Sequence, residues 1–134
     1  MITALWLTAA SALAGDPDLT FQATGLATDG GQVICTLWDR EEVWLDDPGW
    51  VATTKATPKD GAALCVFPSI PPGTYAIAFF QDLNGNVDMD SNLFGLPKEP
   101  WGMSLDAPIR FGPPSFDKSS FQHPSPTVIT GTAH

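Results

Sequence analysis

The chain has 134 residues, enough for one domain with one core, and 43% of them are hydrophobic, which excludes a disordered polymer. Thirteen prolines and twelve glycines argue against long helices and for many turns. A net charge of −9 argues against a nucleic-acid groove or an anionic membrane surface, since both need clustered Lys and Arg; it suits cation binding or plain solubility.

Residues 1–14 read Met-Ile-Thr-Ala-Leu-Trp-Leu-Thr-Ala-Ala-Ser-Ala-Leu-Ala. The run is apolar and short, and it closes on a small-x-small pattern at Ala12–Ala14. It predicts a secretory signal peptide cut before Gly15, although no Lys or Arg marks its start. A buried first strand or helix is the alternative. The run is short for a bilayer span, and no other apolar stretch is longer. Residues 15–134 are then expected to form a single domain in an extracytoplasmic setting, periplasmic or secreted. There an even cysteine count favours a disulfide between Cys35 and Cys65 over two buried thiols.

Period-2 alternation marks the strands. The first runs over 18–26, with Phe21 and Ala23 on one face, and ends at Thr28-Asp29-Gly30-Gly31. The second covers 32–38; Val33, Cys35 and Leu37 share one face, and Ile34, Thr36 and Trp38 the other. Residues 39–47 are rich in acid and predict a solvated loop or short helical turn, with a second cation site or a basic partner as the alternative. A short edge strand is expected over 50–54. Residues 62–67 alternate again, with Cys65 and Phe67 on one face and Leu64 and Val66 on the other. Pro71-Pro72-Gly73 turns the chain into a strand over 75–80 that should aim Tyr75, Ile77 and Phe79 at the core. Further short strands are expected at 108–111 and 127–130. Phe116 and Phe121 are expected to cap the sandwich, and the tail after Thr130 to fray. The sum is an all-β fold: a single antiparallel β-sandwich of about seven strands, immunoglobulin-like or transthyretin-like, with a long loop at one end.

That loop carries the main chemical signal. Asp82, Asn84, Asn86, Asp88 and Asp90 fall on alternate positions, and each short side chain ends in oxygen. Calcium takes six to eight oxygens at about 2.3–2.6 Å, and a tight loop of Asp and Asn supplies them. Carboxylates so close together would repel one another without a cation. Glu99 could return as a sixth ligand. The pattern begins like an EF-hand, but Val87 stands where that loop needs Gly, and Leu93 where it needs the bidentate Glu. The alternative is an Asx-rich turn that caps its own backbone.

Other chemistry is thinly signalled. His123 sits in a Pro/Ser-rich stretch and His134 at the end, so a catalytic triad or a two-His metal site is not expected. Asp82 and Glu99 could act as an acid–base pair in a hydrolase, but the reading favours no enzyme. Trp38, Trp44, Trp50 and Trp101 are read as core or half-buried residues; the alternative is that they line a platform for a peptide or glycan.

Four ordered motifs carry a family resemblance. They are Pro72-Gly73-Thr74-Tyr75-Ala76, the Gln81–Asp90 loop, Gly95-Leu96-Pro97-Lys98-Glu99-Pro100-Trp101-Gly102-Met103-Ser104, and Gly112-Pro113-Pro114-Ser115-Phe116. Together they resemble the secreted bacterial domain-of-unknown-function family numbered twenty-one forty-one, over roughly residues 19–131. The family's His before the loop is Gln81 here, and its Phe before Ser is Met103. The resemblance implies a secreted domain and no established activity. The Pro-Gly-Thr-Tyr turn is also similar to those of transthyretin-like and carboxypeptidase-regulatory sandwiches, an analogy of fold alone.

Overall fold

Alternating burial organises the strands of the computed structural model, which describes residues 15–46, 48–83, 99–108 and 113–134. In β1 (Leu19–Thr24), Leu19, Phe21 and Ala23 are buried while the residues between them are half-buried. In β4 (Ala63–Phe67), Ala63, Cys65 and Phe67 are buried and Leu64 and Val66 face solvent. These two strands pair antiparallel, and β8 (Ile129–Thr132) lies parallel to β1 on its other side. They form a three-stranded sheet in the order β4-β1-β8.

The second sheet has the order β3-β2-β5-β6, with β7 also on β5. Its strands are β2 (Gln32–Trp38), β3 (Ala52–Ala56), β5 (Gly73–Asp82), β6 (Trp101–Met103) and β7 (Phe121–His123). Strand β5 is its spine. It pairs antiparallel with β2 over Ala76–Asp82, with β7 over Gly73–Tyr75 and with β6 over Ala78–Phe80. A four-residue helix, Phe116–Ser119, starts at Ser115, whose hydroxyl accepts the Lys118 N–H.

The inner faces of the sheets meet in one core. Phe21 and Phe79 pack with ring centroids 5.5 Å apart, among Val33, Leu37, Phe67 and Ile77. Cys35 of β2 and Cys65 of β4, both fully buried, form a disulfide that joins the sheets. Tyr75, Ile77 and Phe79 face this core as their spacing predicts. The all-β sandwich is therefore the fold.

Several local expectations change. Strand β3 covers 52–56 rather than 50–54, because Val51 is held by its N–H to Leu37 O and pairing starts after it. Phe121 belongs to strand β7 and the main core, and Phe116 packs on the outer side of the larger sheet. The tail does not fray. Gly131 and Thr132 continue β8, Ala133 N–H donates to Thr24 O at 2.8 Å, and His134 exchanges backbone hydrogen bonds with Trp101. The tail thus leaves one sheet and joins the other. Gly102 and Gly131 permit this crossing, since a Cβ on either would sit 2.5 Å from a backbone oxygen of the opposing strand. The expected strand at 108–111 falls largely on residues outside those described, as do segment 1–14 and most of the Asp/Asn loop.

Candidate functional site

The base of the Asp/Asn loop is built by the end of β5 and the start of β6. Gln81 N–H donates to Pro100 O at 2.8 Å, and Phe80 pairs with Trp101. That register, continued two residues, sets Glu99 opposite Asp82. Residues opposite each other in an antiparallel ladder share a face, with Cβ atoms about 4.5–5.5 Å apart. Both are buried, Asp82 at 4% exposure and Glu99 at 6%. Glu99 Oε2 accepts the Leu83 N–H at 2.7 Å, so the carboxylate also caps the first backbone step into the loop. On its other side Asp82 pairs with Gln32 of β2.

The structure brings together the two ends of the ligand set, Asp82 and Glu99. Asn84, Asn86, Asp88 and Asp90 lie outside the described residues. Among the described residues, no three His, Cys, Asp or Glu side chains gather around one point.

A second layer supports this base. Gln81, fully buried, turns to the core side of β5. Its amide nitrogen donates to Thr28 O at 2.8 Å and to Gly30 O at 2.7 Å, while its buried Oε1 has no hydrogen-bond partner among the described residues. The amide thus fastens the 28–31 turn beneath the site. Gly31 has φ +65° and lies against the Asp82 carbonyl, which any Cβ there would strike. Asp29 extends the support, accepting the N–H groups of Asp60 and Gly61 at 3.1 Å each. Sequence reasoning missed this role of Gln81; its place before the first acid of the loop, where the family has His, was the available signal.

Two of the four tryptophans form a cluster of their own. Trp38 and Trp44 meet edge to face at 5.2 Å, and Trp44 meets Phe116 at 5.7 Å. Their indole N–H groups donate to Asp46 O and Pro114 O. They form a small core over Ala76, which is the reading the sequence favours for these two. Trp50 is 40% exposed. Trp101 stands beside Glu99, with the His134 ring 5.8 Å away.

His123, read from sequence as a loop residue, lies buried in β7 with Nε2 3.2 Å from Pro17 O and 3.1 Å from Ile70 O. It borders a cleft of about 290 Å³ with Pro17, Thr20, Pro124 and Val128. That cleft adjoins the Gly73 end of β5, away from Asp82, because His123 pairs with Gly73.

No curated protein and no solved structure matches the chain. A family model described as "uncharacterized protein conserved in bacteria" (DUF2141) matches residues 22–130, which covers the sandwich from β1 into β8 together with the loop and its buried acids. The chain belongs to this bacterial family.

Proposed function

We propose that this is a non-enzymatic, extracytoplasmic β-sandwich whose Asp/Asn loop holds a calcium ion. The ligand set is Asp82, Asn84, Asn86, Asp88, Asp90 and Glu99. One observation carries the reading: Asp82 and Glu99 are both buried where the loop leaves and re-enters the sheet, and the Glu99 carboxylate accepts the Leu83 N–H beside Asp82. A divalent cation held between the two ends of the loop ties it to the sheet. Oxygen-only ligands on a short loop favour calcium over softer metals. The cross-sheet disulfide fits an oxidising compartment. The role is structural, and the ion raises the stability of the sandwich. Calcium titration by calorimetry and melting with and without chelator test it. Binding, with a melt lowered by chelator, supports the reading; no heat of binding and an unchanged melt would sink it.

A second reading has narrower support. Trp101 is half-buried and flanks Glu99, so a bound ion and this indole could together present a surface to a peptide or glycan. Binding on a glycan or peptide array that is lost in Trp101→Ala, with the fold retained by circular dichroism, favours it. Unchanged binding removes it.

A further inference from the structure

Residues 124–128 carry the chain from β7 in the larger sheet to β8 in the smaller. This strap leaves a cleft of about 290 Å³ between itself, β7 and the start of β1, at the small end of the range for ligand sites. His123 presents one nitrogen there. Its Nε2 lies 3.2 Å from Pro17 O and 3.1 Å from Ile70 O. Carbonyl oxygens only accept, so Nε2 carries the hydrogen and Nδ1 of the neutral ring keeps a lone pair. Nδ1 has no hydrogen-bond partner among the described residues. It is not sealed off either, since the buried unpartnered side-chain atoms there are Gln81 Oε1 and Ser119 Oγ. Asp18 stands on the β1 side of the cleft. Its Oδ1 accepts the Ser69 N–H at 3.0 Å, and no cationic side chain pairs with it among the described residues. Strand β8 joins β1 only from Phe21 onward, so no described strand lies beside Leu19 and Thr20 on that side. Antiparallel bonding to β4 uses alternate residues, so one of these two turns its N–H and C=O to the cleft side. Pro17, Pro124 and Pro126 bring carbonyls but no N–H, and no Lys or Arg lines the cleft.

We propose that this cleft binds a primary ammonium group on a short apolar body, either a small aliphatic amine or the amino end of a peptide. An ammonium has three N–H donors and no acceptor. The cleft offers the reverse: the Nδ1 lone pair, the Asp18 carboxylate and a β1 carbonyl. The Asp18 contact is charge-assisted, and a chain of net charge −9 draws cations toward it. Beside these acceptors stand Leu19, Phe121, Val128 and the prolines, which suit an aliphatic body. One imidazole and one carboxylate serve a metal ion poorly. The volume equals that of about ten waters, so a peptide enters by its first one or two residues. Capture of an amino end in this way is a known mode of peptide recognition. The cleft lies at the Gly73 end of β5, away from Asp82, so it does not depend on a cation in the loop.

The test is an NMR titration of the nitrogen-labelled chain at fixed calcium. The probes are butylammonium, then butyrate and 1-butanol as bodies without the ammonium, and the tripeptide Ala-Val-Ala, free and Nα-acetylated. Butylammonium and the free tripeptide should give saturable shifts at Thr20, His123 and Val128, with a dissociation constant on the order of 1 mM. The His123 Nδ1 resonance should move as it accepts a hydrogen bond. Butyrate, 1-butanol and the acetylated tripeptide should give no saturable shift. Tighter binding of the free tripeptide identifies a peptide end as the occupant, and tighter binding of butylammonium a small amine. Asp18→Asn, which keeps an acceptor for the Ser69 N–H, should weaken binding about tenfold. His123→Gln keeps an N–H for the two carbonyls but loses the lone pair, and should abolish binding. Val128→Lys sets a like charge at an exposed position on the cleft and should abolish binding as well, which decides the matter where His123→Gln does not fold. No saturable shift with either ammonium probe up to about 50 mM would overturn the proposal. So would butyrate, 1-butanol or the acetylated tripeptide binding as well as its ammonium counterpart, or parent-like binding in both Asp18→Asn and Val128→Lys.

Discussion

Ser104 supplies Ile77 with the hydrogen-bond partner that a neighbouring strand would otherwise provide. The free side of β5 is covered in two pieces, by β7 up to Tyr75 and by β6 from Ala78. In the gap Ile77 N–H donates to Ser104 Oγ at 3.0 Å, and that hydroxyl donates to Ser119 O at 2.6 Å. Ser104 is fully buried, so water cannot stand in without rearrangement. Replacing it with Ala strands a buried N–H and a buried carbonyl, at a cost of about 2–3 kcal/mol. Urea unfolding of Ser104→Ala measures this; a loss under about 0.5 kcal/mol would mean that the gap admits water.

The crossing of β6 and β8 depends on two glycines. A Cβ on Gly102 would lie 2.5 Å from Thr132 O and 2.7 Å from Phe79 Cζ, and one on Gly131 would lie 2.5 Å from Met103 O. Backbone stands in the way, so neither clash is relieved by rotating a side chain. Gly102→Ala and Gly131→Ala should each destabilise by about 2–3 kcal/mol. Exchange of the Ala133 and His134 amides should quicken, because both bond across this corner. Gly73→Ala is the control: its nearest neighbour would be the Tyr75 ring at 3.5 Å, an ordinary contact. Thermal melts and amide exchange read both effects.

The Cys35–Cys65 bond closes a loop of sequence separation 30 and links the two sheets. Constraining the unfolded chain to that extent stabilises the fold by about 3–4 kcal/mol in the chain-entropy treatment. A Cys35→Ala/Cys65→Ala chain should lose that amount in denaturant titration, together with packing lost at two fully buried positions. A double variant as stable as the parent would show the bond to be dispensable.

Tyr75, the single tyrosine, gives a pH signature. Burial, and after it the charges of Asp39 and Asp16, hold its phenol above its ordinary value of 10.0. Its hydroxyl donates to Pro71 O at 2.6 Å. The folded chain therefore keeps this proton to higher pH than the unfolded chain does. The stability it contributes is complete below about pH 10 and falls as pH rises through the raised folded-state pKa. Ultraviolet titration should place tyrosinate formation above the free-phenol value. The alkaline fall in stability should be shallower in Tyr75→Phe, which itself costs about 1 kcal/mol for the lost hydrogen bond. Identical alkaline slopes in the two chains would contradict this.

The sequence by itself determined the all-β class and most of its strands. Period-2 alternation is a local property, so Phe21 and Ala23, Val33 and Cys35, Cys65 and Phe67, and Leu64 and Val66 could each be set on shared faces, and Tyr75, Ile77 and Phe79 aimed at the core, without coordinates; which of the other faces turn inward is the structure's answer. The even cysteine count pointed to the disulfide, and the Asp82–Asp90 spacing marked the loop. What only the tertiary structure decided is how short, non-local pieces are shared between sheets. Strands β6 and β7 have three residues each, too few to show a period, and pair only because β5 offers an open edge. Residues 131–134 have no apolar pattern, yet bond into both sheets because two glycines let the strands cross. Trp38 and Trp44 alternate as surface residues would, and Phe116, far off in sequence, buries them. The sequence marked Asp82 and a returning Glu99 as ligands; only the structure shows that both are buried, with the Glu99 carboxylate on the Leu83 N–H.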